Sequence, residues 1–236
     1  MPMRLQSLRP LEVMPFAPAR VAYPGSFDPT NNGHINMLTK AALGHPDNIV
    51  RVIVQVRPKK KSVPRLLELD NAAALFSMAV PPSLAGKVEV TTSPSIRSFF
   101  RAVGRETTHL VRGVRYNQHQ FGRELVVASA LSLARVATQG RFAIVLLKQD
   151  NGFDAVSSRN IRPALLTGGK AMESIRQAVP VPVADLLVEA RRRVHLTADR
   201  HAISDYNAAI REGVGNPANW GVITPTLRCR PMPNLR

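Results

Sequence analysis

Short apolar runs and helical patterns alternate through the middle of this 236-residue chain. The segments NIVRVIVQV (48–56), KVEVTT (87–92), THLVRG (108–113) and RFAIVLLK (141–148) are rich in Val, Ile and Leu and bounded by turn residues. Such continuous apolar runs predict strands buried on both faces. The shorter RVAY (20–23) predicts a first strand ahead of them. Helical patterns lie between these runs at Gly33–Leu43, Asp70–Val80, Ser95–Arg105 and Phe121–Gln139. In the last of these, Leu125, Val126, Ala130, Leu133, Ala134 and Ala137 recur at three- and four-residue steps, as one buried helix face requires. Strand and helix in alternation predict βαβ units, a doubly wound parallel sheet of five strands, and helices on both faces.

Outside this middle zone the pattern fades. Residues 1–20 hold four prolines and three Arg against one Glu, without stable periodicity, and are expected to form a basic Pro-rich arm or a targeting segment. Residues 21–193 form the expected domain. Residues 194–236 read as a basic extension with one short helix near Ser204–Arg211 and Pro-rich coil after it.

Composition narrows the class. No apolar run approaches the roughly 20 residues that span a bilayer, so a soluble protein without membrane contact is expected. The one cysteine, Cys229, excludes an internal disulfide and fits a reducing compartment, the cytoplasm or alternatively the mitochondrial matrix. The formal net charge of +16 is spread along the chain and points to a polyanionic neighbour, either nucleic acid or a phosphorylated ligand.

The candidate chemistry sits in four loops. YPGSFDPTNNGH (23–34) lies at the carboxyl end of the first predicted strand and opens a helix, which is where open α/β sheets bind ligands. Gly25 permits close backbone approach, Pro24 and Pro29 stiffen the turn, and the helix N-terminus offers unpaired N–H groups to an anion. His34, in the first helical turn, can donate to a phosphate oxygen or serve as a cap. RPKKKS (57–62), VRGVR (111–115) and VSSRNIR (156–162) follow later strands and add Lys, Arg and hydroxyl groups at the same sheet edge. Each alone also fits a solvated loop; the joint occurrence predicts a phosphate-binding edge.

These four motifs, in this order and spacing, resemble those of the HxGH nucleotidyltransferases, and most of all the phosphopantetheine adenylyltransferase family, from about Val21 to Arg193. The resemblance implies a Rossmann-like fold and transfer of AMP from ATP to the phosphate of 4′-phosphopantetheine or another phosphorylated acceptor. Pyrophosphate leaves, with Mg²⁺ bound through the nucleotide phosphates and no metal site of the protein's own. By the same resemblance His34, Lys60 and Arg112 are the catalytic residues, with Lys59 or Lys61 in place of Lys60 if the register slips. Ser26, Phe27, Asn31, Gly33, His34, Arg115, Glu124, Ser157 and Ser158 contact the nucleotide, and Ser26, Lys60 and Arg112 the acceptor. Arg97 and Arg101 are expected on the acceptor side as well.

The chain departs from the family pattern in particular places. Asn31 stands where the family has His or Thr, Arg159 replaces the third hydroxyl of the serine motif, and YNQHQFGRE (116–124) is one residue longer than usual. The segment TSPSIRS (92–98), on the acceptor side, is more basic than expected. An alternative reading is therefore a family descendant without activity, holding RNA in a large ribonucleoprotein such as a mitochondrial ribosome through its basic tails. A homo-oligomer is compatible with either reading.

Overall fold

The computed structural model describes residues 18–55, 64–104, 106–114, 142–150 and 157–220. Its centre is a sheet of five parallel strands: β1 (Arg20–Gly25), β2 (Ile49–Gln55), β3 (Val88–Ser93), β4 (His109–Val114) and β5 (Ala143–Lys148), in the order β3-β2-β1-β4-β5. The expected α/β, Rossmann-like fold is the one observed. All five predicted strands are present, and the first runs two residues past RVAY to Gly25.

Helices α1 (Asn32–Leu43), α2 (Leu69–Ala79) and α3 (Ile96–Val103) match the expected segments to within two residues at each end. The strong helical pattern at Phe121–Gln139 lies outside the described residues. After the sheet come α4 (Ser158–Thr167), α5 (Ala171–Ala178), α6 (Val181–Arg193) and α7 (Arg200–Gly215). The last is twice the length read from the sequence.

Alternation along the strands builds two cores. Val21, Tyr23, Val50, Val52, Val54, Val111 and Val145 join the larger one, with α1, α2 and the C-terminal helices. Ala22, Ile53 and Leu110, one residue out of phase, pack with Phe99, Ala102 and Val103 of α3 on the opposite face. Burial on both faces explains why these strands read as unbroken apolar runs.

Helix α7 completes the larger core. Its apolar positions Ile203, Tyr206 and Ile210 step by three and four, Tyr206 and Ile210 are fully buried, and the helix packs on α2 and α6. Asn207 of the same face accepts from the backbone N–H of Glu68 at 2.7 Å and donates to Leu66 O at 2.8 Å. The residues after Arg193 thus share the core of the residues before it, as far as Val214. No described helix is long and apolar enough to cross a membrane.

Candidate active site

The carboxyl end of β1, the central strand of the sheet, delivers the chain into the Ser26–Asn31 turn. Gly25 is required by packing: a Cβ there would lie 2.6 Å from Cζ of Phe27. Phe27 is the one non-glycine residue with positive φ among the described residues, at 45°, a conformation that costs an L-residue about 1–2 kcal/mol. Its ring is buried and fixed edge-on by Tyr23 (5.4 Å between centroids) and Phe76 (4.5 Å). The ring of His34 then stands on Phe27 at 5.0 Å and 88°. Phe27, expected beside the nucleotide, is thus a core residue whose side chain sets the position of His34.

Asp28, joined to Pro29 by a cis peptide bond, ties the turn to the next two elements. Its buried carboxylate accepts from the backbone N–H groups of Leu66 and Leu67 at 3.2 and 3.1 Å and pairs with Arg162 at 3.5 Å. Burial pushes this carboxyl above the usual carboxylate range, against the opposing pull of Arg162, Arg65 and the two amides. Arg162, read from the sequence as a phosphate-edge arginine, is instead committed to Asp28.

Asn31 then caps α1. Its extended backbone (φ −139°, ψ 168°) and short amide are what an N-cap requires. Its Oδ1 accepts from the backbone N–H of His34 at 3.0 Å, and its own N–H donates to Nδ1 of His34 at 3.2 Å, a reciprocal capping box. The consequence is chemical. A ring that accepts at Nδ1 carries its proton on Nε2, so the cap selects the tautomer whose outer nitrogen is a donor.

The Asn31 amide also reaches across to α4. Its Nδ2 donates to Oγ of Ser158 at 3.2 Å, while the Ser158 hydroxyl donates to Pro29 O at 2.8 Å. Ser158, expected to hold nucleotide phosphates, spends its proton on the turn and locks the β1–α1 connection to the start of α4. Ser157 caps α4, its Oγ accepting from the Asn160 N–H at 3.3 Å. Two helix N-termini, α1 and α4, are thereby joined at the edge where β1 ends, and both direct backbone N–H groups and positive dipole ends to that edge.

Other expected residues fall into place around this centre. Ser26 is half-buried at the start of the turn. Gly33 is buried in the first turn of α1, and a Cβ there would collide with Nε2 of Gln149. Arg112 lies half-buried in the carboxyl half of β4, opposite Leu146 of β5. Arg97 and Arg101 are exposed on α3. Lys60 with its neighbours Lys59 and Lys61, Arg115 and Glu124 lie outside the described residues.

No motif in the sequence marks the contacts that fasten α1 to β5. Lys40 donates to Lys148 O at 3.0 Å and pairs with Asp150 at 2.5 Å, and Asn36 donates to the other Asp150 oxygen at 2.6 Å. The Lys40 and Asn36 hydrogen bonds hold the Asp150 carboxyl below the usual range. Nor does any motif mark Arg65, whose guanidinium donates to Leu67 O (2.7 Å) and Gln55 O (3.2 Å) beside Asp28. Such pairings join residues distant in sequence, and no local pattern announces them.

No protein-family model matches the chain. The chain is 31% identical over 170 residues to the phosphopantetheine adenylyltransferase of Haemophilus influenzae strain PittEE, covering 71% of this chain and 96% of the relative. The Actinobacillus succinogenes protein of the same name is 30% identical over 172 residues (73% and 96% covered). That of Lacticaseibacillus paracasei is 26% identical over 175 residues (74% and 95%). Among solved structures, Thermotoga maritima TmcAL bound with alpha-thio ATP superposes with a TM-score of 0.49 at 15% identity, over 73% of this chain and 57% of that one. With nearly the whole length of these relatives matched, the chain belongs to the phosphopantetheine adenylyltransferase family of nucleotidyltransferases.

Proposed function

We propose that the protein is an active adenylyltransferase that transfers AMP from ATP to a phosphorylated acceptor, 4′-phosphopantetheine in first place. The observation that carries this reading is the Asn31–His34 capping box, which puts a proton on the outer nitrogen of His34 at the N-terminus of α1, where β1 ends. A structural cap needs no histidine. A histidine donor beside unpaired helix N–H groups is what a phosphorus centre gaining negative charge requires.

In the reaction, an oxygen of the acceptor phosphate attacks the α-phosphorus of ATP. The bond from that phosphorus to the oxygen bridging the β-phosphorus breaks, and pyrophosphate leaves with its electron pair. No covalent protein nucleophile is needed, because the incoming phosphate is already anionic. The protein's part is to align the two phosphates and offset their repulsion. His34 donates from Nε2 to a non-bridging α-phosphate oxygen as the pentavalent centre forms. The α1 N–H groups, with Gly33 and Ser26 close to the backbone turn, receive the same phosphate; those of α4 behind Ser157 receive the β- and γ-phosphates. Lys60 and Arg112 neutralise the acceptor phosphate, and Arg115 and Glu124 complete the nucleotide side.

Two of the family's roles are reassigned here. Ser158 acts by bracing Asn31, and Phe27 by supporting the His34 ring. As for Mg²⁺, no group of three His, Cys, Asp or Glu side chains that could hold a metal exists among the described residues, and Asp28 is committed to Leu66, Leu67 and Arg162. The ion would arrive with the nucleotide, held by its phosphates, and no step above runs through it.

The experiment that tests the acceptor is direct. Incubation with ATP and 4′-phosphopantetheine, glycerol phosphate, nicotinamide mononucleotide or unphosphorylated pantetheine, followed by mass spectrometry, is expected to give an adenylated product with 4′-phosphopantetheine and none with pantetheine. Adenylation of pantetheine but of no phosphate-bearing acceptor would overturn the proposal.

A further inference from the structure

The residues Lys148, Gln149 and Asp150, where β5 ends, lie against α1. The Lys148 carbonyl oxygen accepts from Lys40 at 3.0 Å. Asp150 pairs with Lys40 and exchanges hydrogen bonds with Asn36, its carboxylate accepting at 2.6 Å and its N–H donating to Oδ1 at 3.3 Å. Between these anchors stands Gln149, 7% exposed, which has no part in the motifs or in the transfer reaction. Its backbone N–H donates to Val114 O at 2.9 Å and carries the β4–β5 pairing one residue past the strand.

The Gln149 side chain ends on the first turn of α1. A Cβ on Gly33 would stand 1.8 Å from Nε2 of Gln149, 3.1 Å from its Cδ and 3.2 Å from Oδ1 of Asn31. The amide thus occupies the space that a side chain at position 33 would take, against the backbone running from the cap to His34. Backbone conformation does not ask for glycine here, since Gly33 is not among the residues with positive φ. A helical glycine is about 1 kcal/mol less favourable than alanine, so something else must require it. Buried and tied down at its backbone, with Asp150 fixed beside it, the Gln149 amide has little room to retreat in a close-packed interior.

We infer that Gln149 is a positioning residue for His34. It fills the side-chain space of Gly33, fixes the first turn of α1 against the end of β5, and makes glycine at position 33 obligatory. This rests on the reading of His34 as the donor to the phosphorus centre. It assigns the glycine requirement to packing within the protein, where close approach of a nucleotide is the competing explanation.

The test is a double-mutant cycle on the full-length protein, read by pyrophosphate release from ATP with 4′-phosphopantetheine, by ATP affinity and by the ¹⁵N shifts of the His34 ring. Gly33→Ala should lower kcat by about 10²-fold, the effect of misplacing a reacting group by roughly an ångström. Gln149→Ala should lower kcat by about tenfold with little change in ATP affinity, because the helix N–H groups remain. Combining the two should give a kcat about tenfold above that of Gly33→Ala alone, since the new methyl enters the vacated space. The His34 ring shifts should depart from wild type in each single variant and return toward it in the double. A Gly33→Ala protein that fails to fold beside a double variant that folds would support the inference equally. A double variant no faster than Gly33→Ala would overturn it, as would wild-type kcat and ring shifts in Gln149→Ala. Wild type that releases no pyrophosphate would refute the transfer reaction, and the ring shifts would then decide the packing of Gln149 on Gly33 by themselves.

Discussion

Replacing Asn31 by Ala removes two separable things, and the difference between them can be measured. The first is the cap, Oδ1 accepting from the His34 N–H at 3.0 Å. Loss of an Asn cap typically costs about 1 kcal/mol. The second is the bridge from Nδ2 to Ser158, at a side chain only 1% exposed. A buried neutral hydrogen bond contributes about another 1 kcal/mol. Asn31→Ala should therefore destabilise by about 2 kcal/mol, which for a chain of this size lowers Tm by roughly 4–8 °C. Asn31→Ser keeps a capping oxygen but is too short to reach Ser158, so it should lose about half as much. Urea unfolding with a common m value measures both. The effect on turnover should follow the cap: Ala keeps the backbone N–H that holds the His34 ring but loosens the first turn of α1 that carries it, and so slows the reaction, whereas Ser retains most of the rate. Equal stability of Asn31→Ala and wild type within about 0.5 kcal/mol, or equal loss in Ala and Ser, would refute this account of the turn.

Three further outcomes are expected. Gly25→Ala drives a methyl to 2.6 Å from the Phe27 ring, so it should cost about 1–3 kcal/mol in urea unfolding and slow turnover by displacing His34. Tyr206→Ala should destabilise by roughly 3–5 kcal/mol, and a chain ended at Arg193 should fail to fold cooperatively by calorimetry, because Tyr206 and Ile210 fill the core. Asp150 has a folded-state pKa below its unfolded value of 3.8, so its contribution is present above pH 3.8 and lost as pH falls through the folded value; wild type and Asp150→Asn should differ in Tm at neutral pH and converge in acid.

The sheet was legible because a parallel strand buried on both faces has to be apolar at nearly every position, as IVRVIVQ and AIVLLK are. The N-terminal edge of α1 was legible from turn chemistry and motif spacing alone. What the motif concealed was the division of labour inside it. Asn31 reads as a substituted phosphate donor, yet its amide caps α1 and braces Ser158; the signal was an Asn three residues ahead of a side chain able to return the bond. Asp28, Arg65 and Arg162 were illegible as a group, since 134 residues separate Asp28 from Arg162 and only the fold brings them together. Helix α7 carried a readable three-and-four spacing at Ile203, Tyr206 and Ile210, but its basic, proline-rich surroundings gave it the look of a tail.

The central claim is that His34, oriented by Asn31, donates to the phosphorus centre during nucleotidyl transfer. Pyrophosphate release from ATP in the presence of 4′-phosphopantetheine, measured for wild type and His34→Ala alongside ATP affinity, tests it most directly. Release by wild type is expected, with a loss of about 10²–10³ in rate on removing this one donor and little change in ATP affinity. Release by His34→Ala at the wild-type rate, or no release by folded wild-type protein that binds both substrates, would contradict it.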